Sequence, residues 1–184
     1  MKKHLLLLIV LLIGVALGSG VTFLVRPAYK GSEDPRLSAV RVTEGTVVAR
    51  DDTTATFRHP RFGFSLSYPK ELSVTELDEG EGARTIVFQK QGEQYGFQLF
   101  IVPYEGDTIS PERIQKDIPS GIVEDPVEAV IGDGIHATVF WSESPSVGKT
   151  REAWFIHQGH LYEATAYAEL DALLGETLST IDFN

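Results

Sequence analysis

"KTREAWFIHQGHLYEATAYA", Lys149 to Ala168, decides the fold. Two runs rich in aromatic, β-branched and small apolar residues flank Gln158-Gly159. A two-residue loop of this kind joins antiparallel neighbours, because its left-handed backbone matches the twist of a strand pair. In that register His157 faces His160 directly, and both side chains lie on one face of the hairpin. Glu152 and Glu163 stand at odd offsets from the two histidines and so belong to the opposite face.

The same logic extends outward. "VEAVI" and "IHATVFWSES" flank Gly132-Asp133-Gly134, a second tight turn. "RTIVFQK" (84–90) and "YGFQLFIVPY" (95–104) form a third pair joined by Gln91 to Gln94. In "FGFSLSYP", Phe62, Phe64, Leu66 and Tyr68 alternate with small or polar residues, as in a strand with one buried face. "RVTEGTVVARDDTTATFRHP" reads as two short runs turning at Asp51-Asp52. Two helices complete the order. "SPERIQKDI" (110–118) has Ser110 as N-cap and Pro111 at the first helical position. In "ELDALLGETLSTI", Leu170, Leu173, Leu174, Leu178 and Ile181 form an apolar stripe interrupted by Gly175. Consecutive strands joined by tight turns, with helices between and after them, predict an α+β domain: an antiparallel β-sheet flanked by helices.

Ahead of this domain, Leu5 to Val25 carries no charge. As a helix these residues span about 31 Å, close to the roughly 30 Å hydrocarbon core of a bilayer. The chain therefore divides into an N-terminal transmembrane signal anchor (1–25), a Pro-containing tether (26–40) and a globular domain (41–184). Lys2 and Lys3 favour an internal N-terminus and a single-pass protein with its domain outside the cytoplasm, although Arg26, Lys30, Arg36 and Arg41 follow the span. Cleavage beside Ala16, Gly18, Ser19 and Gly20, giving a secreted domain, is the alternative. Gly14 and Gly18 make a G-x-x-x-G that allows close helix approach and a homodimer through the anchor.

The chemistry-bearing motifs are few. A metal site at His157 and His160 needs at least one further ligand. The acidic "ELDEGEG" (76–82) lacks the ligand pattern of a calcium loop and reads as a solvated hairpin loop. "SESPSVGKT" ends like a phosphate-binding loop, but Glu143 occupies the place of its first glycine. The chain has no cysteine, which removes thiolate nucleophiles, sulfur-ligated zinc and an N-terminal lipid on cysteine. Of 16 basic residues two, Lys2 and Lys3, precede the apolar span, leaving 14 against 26 acidic ones after residue 25, a net charge of −12. Such a surface repels phosphate backbones, so no nucleic acid is expected as a partner.

"FGFSLSYPKELSV" and "GHLYEATAYAELDALLGETLSTIDF" resemble the opening and the ending of PsbP-like proteins, and the resemblance runs over about residues 57–184. It implies an α/β/α sandwich with an antiparallel sheet between helices. Photosynthetic members are extrinsic subunits that help retain inorganic cofactors of the oxygen-evolving complex, and many bacterial relatives are secreted or anchored. Residues 26–56 do not match the N-terminal arm of the photosynthetic proteins, so no binding residue is carried over. The expectation is a membrane-anchored, extracytoplasmic, non-enzymatic domain without a cofactor that binds or supports another envelope component. A metal-binding domain or metal-dependent enzyme centred on His157 and His160 is the alternative.

Overall fold

The computed structural model describes residues 40–118, 120–144 and 147–183. The anchor, the Gly14–Gly18 pair and the tether up to residue 39 lie outside them. Among the described residues, no helix is long and apolar enough to cross a membrane.

Strands β1 (Val40–Val42), β2 (Thr46–Ala49), β3 (Thr54–His59), β4 (Phe64–Pro69), β5 (Leu72–Gly80), β6 (Ala83–Lys90) and β7 (Gly96–Pro103) come first. Helix α1 (Pro111–Asp117) precedes β8 (Glu124–Ile131), β9 (Ile135–Ser144), β10 (Gly148–His157) and β11 (His160–Tyr167). A 3-10 turn (Ala168–Leu170), helix α2 (Asp171–Leu178) and β12 (Asp182–Phe183) close the chain. An eight-stranded sheet runs β1-β5-β6-β7-β11-β10-β9-β8, and a four-stranded sheet runs β12-β4-β3-β2. Every pairing is antiparallel.

The turn chemistry acts as expected. Gln158 and Gly159 have φ of 45° and 74°, and His157 pairs with His160. The Asp51 carboxylate accepts the backbone N–H groups of Thr53 and Thr54 at 2.8 and 2.7 Å, closing the β2–β3 turn. Ser110 caps α1 by accepting the Arg113 N–H at 3.2 Å. Helix α2 continues through Gly175 to Leu178, because Leu173, Leu174 and Leu178 hold both sides of the glycine in the core.

Each face of the large sheet has its own apolar cluster. On one, Ile86, Phe88, Phe97, Leu99, Ile101, Phe155, Tyr162 and Ala164 meet Phe57, Phe64, Leu66 and Tyr68 of the small sheet and the leucines of α2. The rings of Phe88 and Phe97 stack at 4.5 Å, and that of Phe57 stands edge-on to Phe88 at 5.5 Å. On the other, Phe100, Phe140, Trp154 and Leu161 pack with Ile118, Ile114 and Tyr104 from the α1 region.

Three expectations need correction. The sheet is not simply clad by helices: one face is covered by the small sheet together with α2, giving a β-rich fold with few helices. "RVTEGTVVA" is not one run, since β1 joins the large sheet and β2 the small one. The break falls at Gly45, where an added Cβ would lie 2.1 Å from the Phe57 ring. Finally, "ELDEG" is not a solvated loop but the end of β5, with Glu76 only 4% exposed. A carboxylate at an inward position hides a strand from a hydrophobic pattern.

Candidate functional site

Glu76 is the centre of a buried polar cluster at the junction of the two sheets. Alternation places Ala55, Phe57 and His59 of β3 inward together. The same alternation turns Glu76 and Asp78 of β5, and Arg84 of β6 opposite Asp78, toward the small sheet. His59 Nε2 lies 2.7 Å from Glu76 Oε1. The Phe62 N–H donates to His59 Nδ1 at 3.4 Å, which leaves Nε2 as the protonated nitrogen that donates to Glu76. Glu76 Oε2 accepts the backbone N–H groups of Glu44 and Gly45 at 2.9 and 3.1 Å. These two bonds hold the link between β1 and β2, where the chain passes from one sheet to the other.

Arg84 is 0% exposed. Its guanidinium donates to Glu44 Oε1 at 2.7 Å, and it lies 3.3 Å from Asp78 Oδ2 and 3.6 Å from Glu76 Oε1. Burial lowers the His59 pKa, and the contact with Glu76 offsets this in part. Burial alone would raise Glu76, but the Glu44, Gly45 and His59 donors outweigh it and hold the carboxyl below its ordinary range. The cluster is thus a neutral imidazole and a carboxylate beside a guanidinium that the surrounding carboxylates neutralise.

Glu44, His59 and Glu76 also offer three ligand atoms within 4.8 Å of one another. Two features argue against a metal ion between them. The Arg84 guanidinium already supplies the positive charge. The nitrogen facing Glu76 carries the proton, and moving that proton to Nδ1 would set it against the Phe62 N–H. These residues fit an ion-pair network better than a coordination sphere.

Two further carboxylates are buried on the opposite face. Glu152 accepts Thr150 Oγ1 at 2.9 Å, Thr165 Oγ1 at 2.7 Å and Trp154 Nε1 at 3.2 Å. Glu163 receives Arg113 of α1 at 3.3 Å, and Arg113 also pairs with Asp117 within the helix. The register puts Glu152 and Glu163 on the face away from the two turn histidines, as the sequence predicts.

His157 and His160 are brought together across the turn, but their surroundings differ. His160 Nδ1 donates to Gln158 O at 3.0 Å. The His157 ring packs on Phe183 with centroids 3.8 Å apart, and its Nε2 is buried without a hydrogen-bond partner. Burial lowers its pKa. His136 pairs with Val130 and is on the other face of the sheet from His157. Among the described residues, the group of three or more metal-ligating side chains that converge is Glu44–His59–Glu76, not one containing the turn histidines. Gly148-Lys149-Thr150 opens β10 and pairs with β9. It therefore does not present amides at a helix start, as a phosphate loop must.

No sequence motif announces the central cluster. Its signal is phase: His59 in step with Ala55 and Phe57, and Glu76 in step with Leu72 and Val74.

No family model matches the chain, and no curated protein does. Among solved structures, the fold is similar to the solution structure of cyanobacterial PsbP (CyanoP) from Synechocystis sp. PCC 6803. The two are 12% identical with a TM-score of 0.53, over 73% of this chain and 94% of that one. A crystal structure from Bacteroides thetaiotaomicron VPI-5482 is 15% identical with a TM-score of 0.40, over 70% of this chain and 48% of that one. The first likeness shows the fold: the chain has a PsbP-like fold.

Proposed function

We propose that this PsbP-like domain is a non-enzymatic binding module, held outside the cytoplasm by residues 5–25, that binds or supports another component of the cell envelope. One observation carries the reading. The buried carboxylates, guanidinium and imidazole of Glu76, Glu152, Glu163, Arg84 and His59 are spent on the fold itself: His59, Glu76 and Arg84 on one another, Glu152 on Thr150, Thr165 and Trp154, and Glu163 on Arg113. A catalytic site instead aims such groups at a cleft. The PsbP-like fold supports the same reading.

Crosslinking the full chain in intact envelopes tests it. A discrete adduct with a second protein is the expected result, and a chain that crosslinks to no other protein at any exposed position overturns it. Protease added outside the cytoplasmic membrane should digest the domain if the anchor has the proposed orientation. Metal binding at His157 and His160 is a second reading, favoured by their pairing across the turn. Replacing both by alanine should then abolish metal uptake, and unchanged uptake would eliminate it.

A further inference from the structure

The large sheet ends on β8, and the two halves of that edge are built differently. At its start the edge is guarded: Asp125 has φ of 48°, Pro126 follows, and pairing with β9 is irregular between Glu124 and Val127. Such features block strand addition. From Val127 on they stop. Val127, Glu128, Ala129, Val130 and Ile131 pair in unbroken register with Val139, Thr138, Ala137, His136 and Ile135. The outer side of this stretch is a row of edge backbone groups. Alternation sends Val127 and Val130 to opposite faces, and they are 51% and 64% exposed. An apolar side chain therefore flanks the edge on each face.

Charge selects the occupant. Asp125, Glu128 and Asp133 lie along or beside this edge and are exposed. Glu124 is engaged by Lys149 at 3.1 Å, and Glu128 accepts Thr138 Oγ1 at 2.9 Å through one of its two oxygens. A second copy would bring an identical acidic edge, on a chain that carries a net charge of −12 after residue 25, and is repelled. A strand alternating apolar and basic residues would lay its apolar side chains on the face of Val127, Ala129 and Ile131 and its basic ones on the face of Glu128. We propose that the Val127–Ile131 edge of β8 is the docking site for an extended basic segment of a partner protein, which adds to the sheet as a further strand. This names the surface and partner chemistry for the binding module proposed above and rests on that reading.

The probe is a nine-residue peptide alternating valine and lysine, compared with one alternating valine and glutamate, added to the full chain in mild detergent. The lysine peptide should bind at least about tenfold more tightly, weaken with salt, and slow hydrogen exchange at residues 127–131. Replacing Val127 and Val130 together by lysine should abolish that binding while leaving the fold intact, because both side chains are exposed. Equal binding of the two peptides, protection elsewhere, or an unaffected double variant overturns the proposal. Envelope crosslinking separates the two levels. Partner adducts that persist in the double variant refute the β8 edge and leave the binding module standing, whereas their absence from the natural chain refutes the module itself.

Discussion

Replacing Glu76 by alanine removes the acceptor of three donors: the Glu44 N–H, the Gly45 N–H and His59 Nε2. It also leaves the fully buried Arg84 with two partners, Glu44 and Asp78, whose side chains are both partly exposed. Breaking a buried ion pair from one side costs about 3–5 kcal/mol, because the remaining charge stays in a dry site. At roughly 2–4 °C per kcal/mol for a domain of this size, the melting midpoint should fall by about 10 °C. Glu76→Gln keeps a carbonyl acceptor but loses the charge, and should cost about half as much. Urea denaturation of the full chain in mild detergent, with intrinsic fluorescence as readout, measures both. The link between β1 and β2 should also exchange amide hydrogens faster in Glu76→Ala, since its two bonds to the carboxylate are gone. A loss below about 1 kcal/mol for Glu76→Ala would refute the network as a fastening between the sheets.

Acid should weaken the same junction. His59 has a pKa lowered by burial, so its contribution is complete above about pH 6.5 and declines as pH falls toward the lowered value. Glu76, also lowered, adds a further loss only below the ordinary carboxylate range. Stability between pH 8 and 5.5 should therefore slope downward in the natural chain and less steeply in His59→Gln, where the lowered His157 still contributes, and equal slopes would count against it. Gly45→Ala should cost about 1–3 kcal/mol by overpacking, since its Cβ would meet the Phe57 ring at 2.1 Å. Phe88→Ala should cost about 3–5 kcal/mol in the same denaturation assay, as its ring joins Phe57, Tyr68 and Phe97 across the two sheets.

The parts of this fold that were legible are those governed by local chemistry. Gln158-Gly159, Gly132-Asp133-Gly134 and the Ser110-Pro111 helix start each need specific backbone angles or a side-chain cap, and their residues say so. What stayed hidden depends on partners far along the chain. β5 carries no clear hydrophobic pattern because its inward positions include Glu76 and Asp78, which are tolerable there only beside Arg84 and His59. The division of Val40–Ala49 between two sheets follows from Glu76 gripping the Glu44–Gly45 link, 31–32 residues away in sequence. The register alone pairs the turn histidines. That pairing says nothing of a third ligand, and the chemistry-rich cluster lies instead around His59. Alternation does mark it, since a histidine and a glutamate in phase with buried apolar residues must find partners inside.

The central claim is that the buried ionisable groups serve the fold and leave the surface to do the binding. Elemental analysis tests it most directly, on the full chain purified in mild detergent without chelator or affinity histidines. No stoichiometric transition metal is the predicted result, with Arg84 as the cation of the buried cluster. About one equivalent of bound metal, lost on replacing His59 or on replacing His157 and His160, would contradict the account and put metal chemistry at the site the substitution identifies.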